Sequence, residues 1–365
     1  MPTNSIIISS LFSLVRLGIG RTVTFLPEKI DWEVIYTLSS EQGLSAIVLD
    51  GVQVLTNRSE LMDGRAMDVK LKKQWIGTVI QNYEQKYFDY RKRIGQLARF
   101  YNEHGFKLML LKGYGLSLNY PIPEHRPSGD IDIWTFGQYL EADAVIHREF
   151  GAEIDSSHHH HTTFQWKGYL VENHYDWVNV HAHRSSAEME KIFKDLAMDD
   201  SCSVDVDGSR VYLPSPNLHA LFILRHSMSH FASTSMSVRQ LLDWGFFVEK
   251  HTKEIDWSWL TETLERFHMK DFFTCLNAIC VADLGFDANI FPPMQVDFFL
   301  KDRILNDMIF PEFSKESPSG GMRRLWFKFR RWKANGWKHK LCYQESMFSS
   351  FMSGVWARVI KPAMI

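Results

Sequence analysis

The stretch Leu111-Lys-Gly-Tyr-Gly-Leu-Ser-Leu-Asn-Tyr-Pro-Ile-Pro-Glu-His-Arg-Pro-Ser-Gly-Asp-Ile-Asp-Ile-Trp134 decides the fold. It begins where a short apolar run, Phe106 to Leu111, ends at Lys112-Gly113, and it closes on Gly129-Asp130-Ile-Asp132-Ile. A continuous apolar run that stops at glycine reads as a buried strand, and the alternating Asp-Ile-Asp-Ile reads as a second strand. Side chains alternate along a strand, so Asp130 and Asp132 share one face and Ile131 and Ile133 the other. Two carboxylates that close repel each other and are costly to bury unpaired. A divalent cation resolves the conflict, and Mg²⁺ (or Mn²⁺) takes one or two carboxylates together with substrate phosphates and water.

Outward from this stretch the hydrophobic period changes twice. Residues 1–104 read as helical, with apolar positions recurring at three and four and Gly105 as a stop. The N-terminal run SIIISSLFSLVRLGIG is read as a first packed helix, because no basic residue precedes it and Arg16 interrupts it. Residues 105–214 alternate between strand-like segments and polar turns, with a hairpin around Asp207-Gly208. The helical period returns over 215–300, and 301–365 forms a basic aromatic C-terminal segment. The predicted fold class is α+β, a small mixed β-sheet core between helical regions.

Composition bounds the function only loosely. The chain has 365 residues, 45% hydrophobic and 23% charged, with a formal net charge of −2, so no global field points to nucleic acid. Four cysteines, Cys202, Cys275, Cys280 and Cys342, form no metal-type pairing and read as reduced thiols, which points to a cytoplasmic protein. No stretch approaches the ~20 apolar residues of a membrane span.

The context of the aspartates sharpens the metal reading. A glycine such as Gly113 lets backbone approach a phosphate, Lys112 stands beside it, and Arg126 and Gly129 lie in the loop before the carboxylates. Downstream, YLVENHYDW offers Glu172 as a third carboxylate, with His174 on the same face and Asp176 as a nearby competitor. By contrast, Asp205 and Asp207 repeat the spacing but read as a solvated hairpin edge. His158 to His161 read as a polar hairpin tip, since consecutive residues rarely present all their imidazoles to one ion. His226 and His230, four apart, read as helix-packing or cleft-lining residues, and Arg239 with Asp243 as an ion pair.

The run LKG, then Tyr120-Pro121, Arg126, GDIDI and VENH resembles the uncharacterised nucleotidyltransferase family of the DNA polymerase β-like nucleotidyltransferase superfamily. The resemblance is strongest over 107–182. It implies metal-dependent transfer of a nucleoside monophosphate from an NTP, with ATP as the expected donor and the acceptor undefined. It maps Asp130, Asp132 and Glu172 onto catalytic metal ligands and Gly113 onto nucleotide binding. On the residues alone, Lys112, Arg126 and Gly129 read as further nucleotide-binding positions, with a salt-bridge role as the alternative for Lys112, and His174 reads as a substrate-side group or a hydrogen-bonded sheet histidine. Tyr114 follows the glycine where the superfamily has serine or glycine, which leaves a degenerate nucleotide-binding member as the alternative.

One further segment stands apart. Arg323 to Lys340 carries eight Lys/Arg and no acid, with Trp326, Trp332 and Trp337 interleaved. This composition suits a terminal helix packed through its tryptophans, an anionic membrane surface or a protein partner; nucleic acid fits less well. It gives the expectation of a protein peripheral to a membrane, or an interaction module working through 323–340.

Overall fold

A computed structural model describes residues 2–23, 25–58, 65–198, 202–313 and 320–344. Among the described residues six strands form one mixed sheet in the order β3-β4-β2-β1-β6-β5. They are β1 (Met109–Leu110), β2 (Ile131–Trp134), β3 (His161–Trp166), β4 (Tyr169–His174), β5 (Ser203–Val206) and β6 (Ser209–Tyr212). The central strand β2 runs antiparallel to β1 and parallel to β4.

The sheet is buried on both faces, and the alternation of its side chains shows how. Leu108, Leu110, Ile131, Ile133 and Val171 join one apolar cluster with Tyr90, Ile94 and Leu97 of the Lys86–Glu103 helix and Ile146 of the Tyr139–Phe150 helix. Met109, Leu111 and Trp134 face the other way, into a larger cluster built by the remaining helices. A strand with apolar partners on both sides tolerates a polar residue only where a partner or a ligand waits for it. Asp132 is that residue in β2.

The helical regions are not segregated by sequence position. Helices Pro2–Gly18, Trp32–Glu41 and Ser45–Thr56 share a core with Pro216–Ser233, Val238–His251 and Phe298–Ile309. Gln42 clasps this union, donating to the Met308 carbonyl at 3.1 Å and accepting from the Val238 N–H at 2.9 Å. The Lys86–Glu103 helix instead packs beneath the sheet. Leu11, Leu14 and Val15 of the first helix are fully buried, as the reading of 5–20 as a packed helix requires.

Several local predictions meet their structure. The hairpin turns at Asp207-Gly208, both at positive φ, and its Asp205 and Asp207 are exposed. Within the helical stretch 215–300, His268, at φ 59°, separates the Trp257–Arg266 helix from the Lys270–Ala282 helix. Two expectations are corrected. The run Phe106 to Leu111 yields only two residues of regular strand, because Leu108 and Leu111 bond to β6 and β2 just outside the ladder. Of the strand-like segments read within 105–214, Gly151 to Asp155 contributes only an isolated bridge, Asp155 to Thr163.

Candidate active site

The parallel pairing of β2 and β4 sets Asp132 directly beside Glu172, and Trp134 beside His174. Neighbouring residues in register point the same way, so two carboxylates and an imidazole converge on one face of the sheet. His174 Nε2 lies 3.3 Å from Asp132 Oδ1 and 3.5 Å from Glu172 Oε2. Asp132, Glu172 and His174 together offer one ligand atom each within 4.8 Å of one another, a grouping able to hold a metal ion. Asp130 stands at the exposed mouth, immediately before β2.

Lys112 leaves the end of β1 and places its ammonium 2.7 Å from Asp132 Oδ1. Burial alone would raise the Asp132 pKa; Lys112 and His174 outweigh it and hold the carboxyl well below the usual range. Asp130 moves the other way, raised by burial and by the charge of Asp132. For His174, burial opposes the charge, but its bonds to Asp132 and Glu172 prevail and raise its pKa. Three carboxylates thus face one lysine and one histidine, an excess of negative charge that fits a divalent cation.

Gly113 has φ 58° and ψ −114°, a conformation that side chains with a Cβ rarely adopt. An added Cβ would meet the Tyr90 hydroxyl at 2.3 Å. That hydroxyl donates to the Asp130 carbonyl at 2.7 Å and so fixes the entry into β2. Gly113 is therefore needed by a close approach within the protein itself. Tyr114 turns into the core and stacks on Tyr87, with ring centres 5.8 Å apart, and it does not line the cavity over the carboxylates.

That cavity holds about 320 Å³ and is lined by Lys112, Gly113, Gly129, Asp130, Asp132, His226, His230 and Arg239, among others. Arg126 also borders it, but its fork is engaged: Nε donates to Asp243 Oδ1 at 2.7 Å and Nη2 to Oδ2 at 3.0 Å. Tyr120 donates to the same carboxylate at 2.7 Å, and Arg239 reaches it at 3.4 Å. The sequence pairing of Arg239 with Asp243 is present, yet Arg126 is the principal partner. Arg239 is the cavity cation that the sequence did not single out for phosphate. Its side chain keeps 30% exposure, and the only sequence signal was its place one turn before Asp243 on an amphipathic helix.

His226 and His230 line the cavity, with ring centres 4.4 Å apart. Burial and then the charge of Lys112 lower both pKa values, leaving neutral imidazoles over the site. Asp176 does not join the carboxylates; it pairs with Lys194 beyond the end of β4. Behind the sheet, Asp143 accepts from Thr162 at 2.7 Å and from Asn173 at 2.8 Å, locking β3 and β4 to the Tyr139–Phe150 helix.

The histidine run departs from a solvated tip. His159 and His161 are buried, and His161 opens β3 opposite His174. Burial and then the charge of His174 push His160 and His161 down to about 3.

The chain belongs to the uncharacterised nucleotidyltransferase family, whose model matches residues 28–285. The family points to a transferase acting with an NTP. No curated protein and no solved structure matches the chain.

Proposed function

We propose that the protein transfers a nucleoside monophosphate from an NTP, ATP being the first to test, to a hydroxyl or amine acceptor in the presence of Mg²⁺ or Mn²⁺. The observation that carries this reading is the register of β2 on β4, which sets Glu172 beside Asp132, and Asp132 lines a cavity that also holds Asp130, Lys112 and Arg239. Asp130, Asp132 and Glu172 would hold the divalent ions, which when bound neutralise phosphate charge and activate the attacking oxygen. Lys112 and Arg239, which line the cavity, would bind phosphate oxygens, and Gly113 and Gly129 would offer backbone there. Arg126 acts by holding Asp243 and the loop before β2. His174 orients Asp132 and Glu172. The acceptor oxygen or nitrogen bonds to the α-phosphorus while its proton passes to one of the site's carboxylates, the bond from the α-phosphorus to the bridging oxygen breaks, and pyrophosphate leaves. Positioning and charge neutralisation supply most of the rate.

The test is pyrophosphate release from each NTP with Mg²⁺ or Mn²⁺ across a panel of hydroxyl and amine acceptors. Glu172→Gln is expected to keep nucleotide affinity within a few-fold while transfer disappears. If Asp176→Asn abolishes transfer and Glu172→Gln does not, the assignment of the third carboxylate is wrong.

A peripheral membrane contact is favoured by a separate observation. On the Gly321–Ala334 helix, Met322, Trp326 and Phe329 are exposed at 84%, 62% and 45%, spaced by four and three on one side. Exposed Arg323, Arg324 and Arg330 accompany them, the composition of a helix that lies on an anionic lipid surface. No helix among the described residues is long and apolar enough to cross a membrane. The site's chemistry and this contact are separable.

A further inference from the structure

Three imidazoles converge beside the carboxylates, and the proposed transfer reaction leaves two of them unused. His160 ends the bend before β3, His161 opens β3, and His174 closes β4 opposite it. Their ring centres are 4.5 Å (His160 to His161), 5.5 Å (His160 to His174) and 5.1 Å (His161 to His174) apart. A Zn–N bond of ~2.0–2.1 Å sets a ring centre ~3.2 Å from the ion, so rings at the tetrahedral angle have centres ~5 Å apart. One nitrogen or other ligand atom from each of the three lies within 4.8 Å of the others. Closing to tetrahedral contact moves each atom by less than ~1 Å.

Two observations mark these rings as ligands in waiting and not as packing. Nδ1 of His160 and Nδ1 of His161 are buried and make no hydrogen bond, although His161 is only 7% exposed. A buried polar atom without a partner is uncommon in a folded protein and calls for a reason. His174 Nδ1 meets the Asp176 carbonyl at 3.4 Å, the arrangement by which a ligating imidazole is commonly oriented through its other nitrogen. Glu172 Oε2, 3.9 Å from His161 Nδ1 and 3.5 Å from His174 Nε2, completes a fourth corner.

We infer that His160, His161 and His174, with Glu172, form a nitrogen-rich site for a late first-row divalent ion, represented by Zn²⁺. Imidazole donors favour Zn²⁺, Co²⁺ or Ni²⁺, whereas Mg²⁺ prefers oxygen. The ion ties the start of β3 to the end of β4 and fixes the strand that carries Glu172. The site shares Glu172 and His174 with the proposed transfer site, but its binding needs neither NTP nor Asp130.

The experiment uses the full chain purified through a tag without histidine and freed of metal by a chelator. Calorimetry with Zn²⁺ is expected to give one strong site that a hundredfold excess of Mg²⁺ does not displace. Co²⁺ is expected to give the intense visible absorption of a tetrahedral complex. His160→Asn and His161→Asn each weaken Zn²⁺ binding by ~100-fold or more, above the loss from removing a group behind a ligand. His159→Asn, whose ring lies toward His181, and Asp130→Asn retain it, which separates this ion from any nucleotide-linked one. Wild-type affinity in both histidine variants, a weak octahedral Co²⁺ spectrum, or displacement by Mg²⁺ would overturn the site. Should the variants fail to fold, Zn²⁺ must still raise the wild-type melting temperature reversibly with chelator; no rise is also a refutation.

Discussion

Two buried ion pairs border the same cavity and behave in opposite ways. Arg126 and Asp243, each about 5% exposed in its side chain, meet in a two-pronged bond, and Tyr120 and Arg239 occupy the rest of the carboxylate. Lys112 and Asp132 meet through a single contact, and that carboxylate also serves His174 while Asp130 and Glu172 crowd around it. The first pair is complete. The second has more acceptors than the protein supplies cations for. A buried charge is therefore not in itself the mark of a functional site; an unbalanced one is.

The contrast is broken most forcefully by removing a partner from the first pair and a crowding carboxylate from beside the second. Asp243→Ala leaves Arg126 buried and unpaired and is expected to destabilise the protein by ~3–5 kcal/mol, read as a large fall in melting temperature. Asp130→Asn should do the reverse at pH 7. Its pKa is raised, so the charged form is disfavoured in the folded state, and neutralising it leaves stability unchanged or slightly higher. Equal losses in the two variants would erase the distinction drawn between the pairs.

The basic C-terminal segment divides along the same line. Lys338 is fully buried and paired with Asp307, Trp337 packs against Phe231, and Tyr343 stacks on His183 at 3.5 Å. The Gly336–Tyr343 helix is thus structural, while the preceding helix carries the exposed tryptophan. Ending the chain near residue 319 is expected to lower the melting temperature markedly. Replacing Met322, Trp326 and Phe329 with serine should leave it within a degree or two but abolish binding to anionic vesicles, an attraction that weakens as salt rises. Vesicle binding that survives the triple substitution would remove the proposed membrane contact.

A smaller effect sharpens the comparison through pH. Glu190 is buried, accepts from the backbone N–H groups of Trp177 and Val178, and has its pKa pushed up to about 7, mainly by burial. A raised carboxyl contributes stability in full below its unfolded value, and that contribution is lost as pH rises toward the folded value. Wild-type stability should therefore fall relative to Glu190→Gln between about pH 4.5 and 7, by ~1–3 kcal/mol. Parallel stability curves for the two proteins over that window would show that this carboxylate is not strained.

Much of this was legible in the sequence because alternation and glycine carry strong geometric meaning. Ile131 and Ile133 against Asp132 gave the two faces of β2, and Lys112-Gly113 marked the end of β1. Register between β2 and β4 could not be read, since nothing local specifies which residues of separate strands pair; the choice of Glu172 over Asp176 depended on it. Arg126 was read as a phosphate ligand because its partner lies 117 positions away, beyond any local pattern. The four histidines misled for a related reason. Two of them bend inward to meet His174, and only the fold brings those strands together.

The central claim is that the unbalanced carboxylates Asp130, Asp132 and Glu172 form a cation seat for an NTP. Calorimetric titration of ATP and the other NTPs, with and without Mg²⁺ or Mn²⁺, tests it most directly. Metal-dependent nucleotide binding is expected in the wild type and in Glu172→Gln, and its loss is expected in Asp130→Asn/Asp132→Asn. Binding of equal strength in the double variant, or binding indifferent to the metal, would contradict the account.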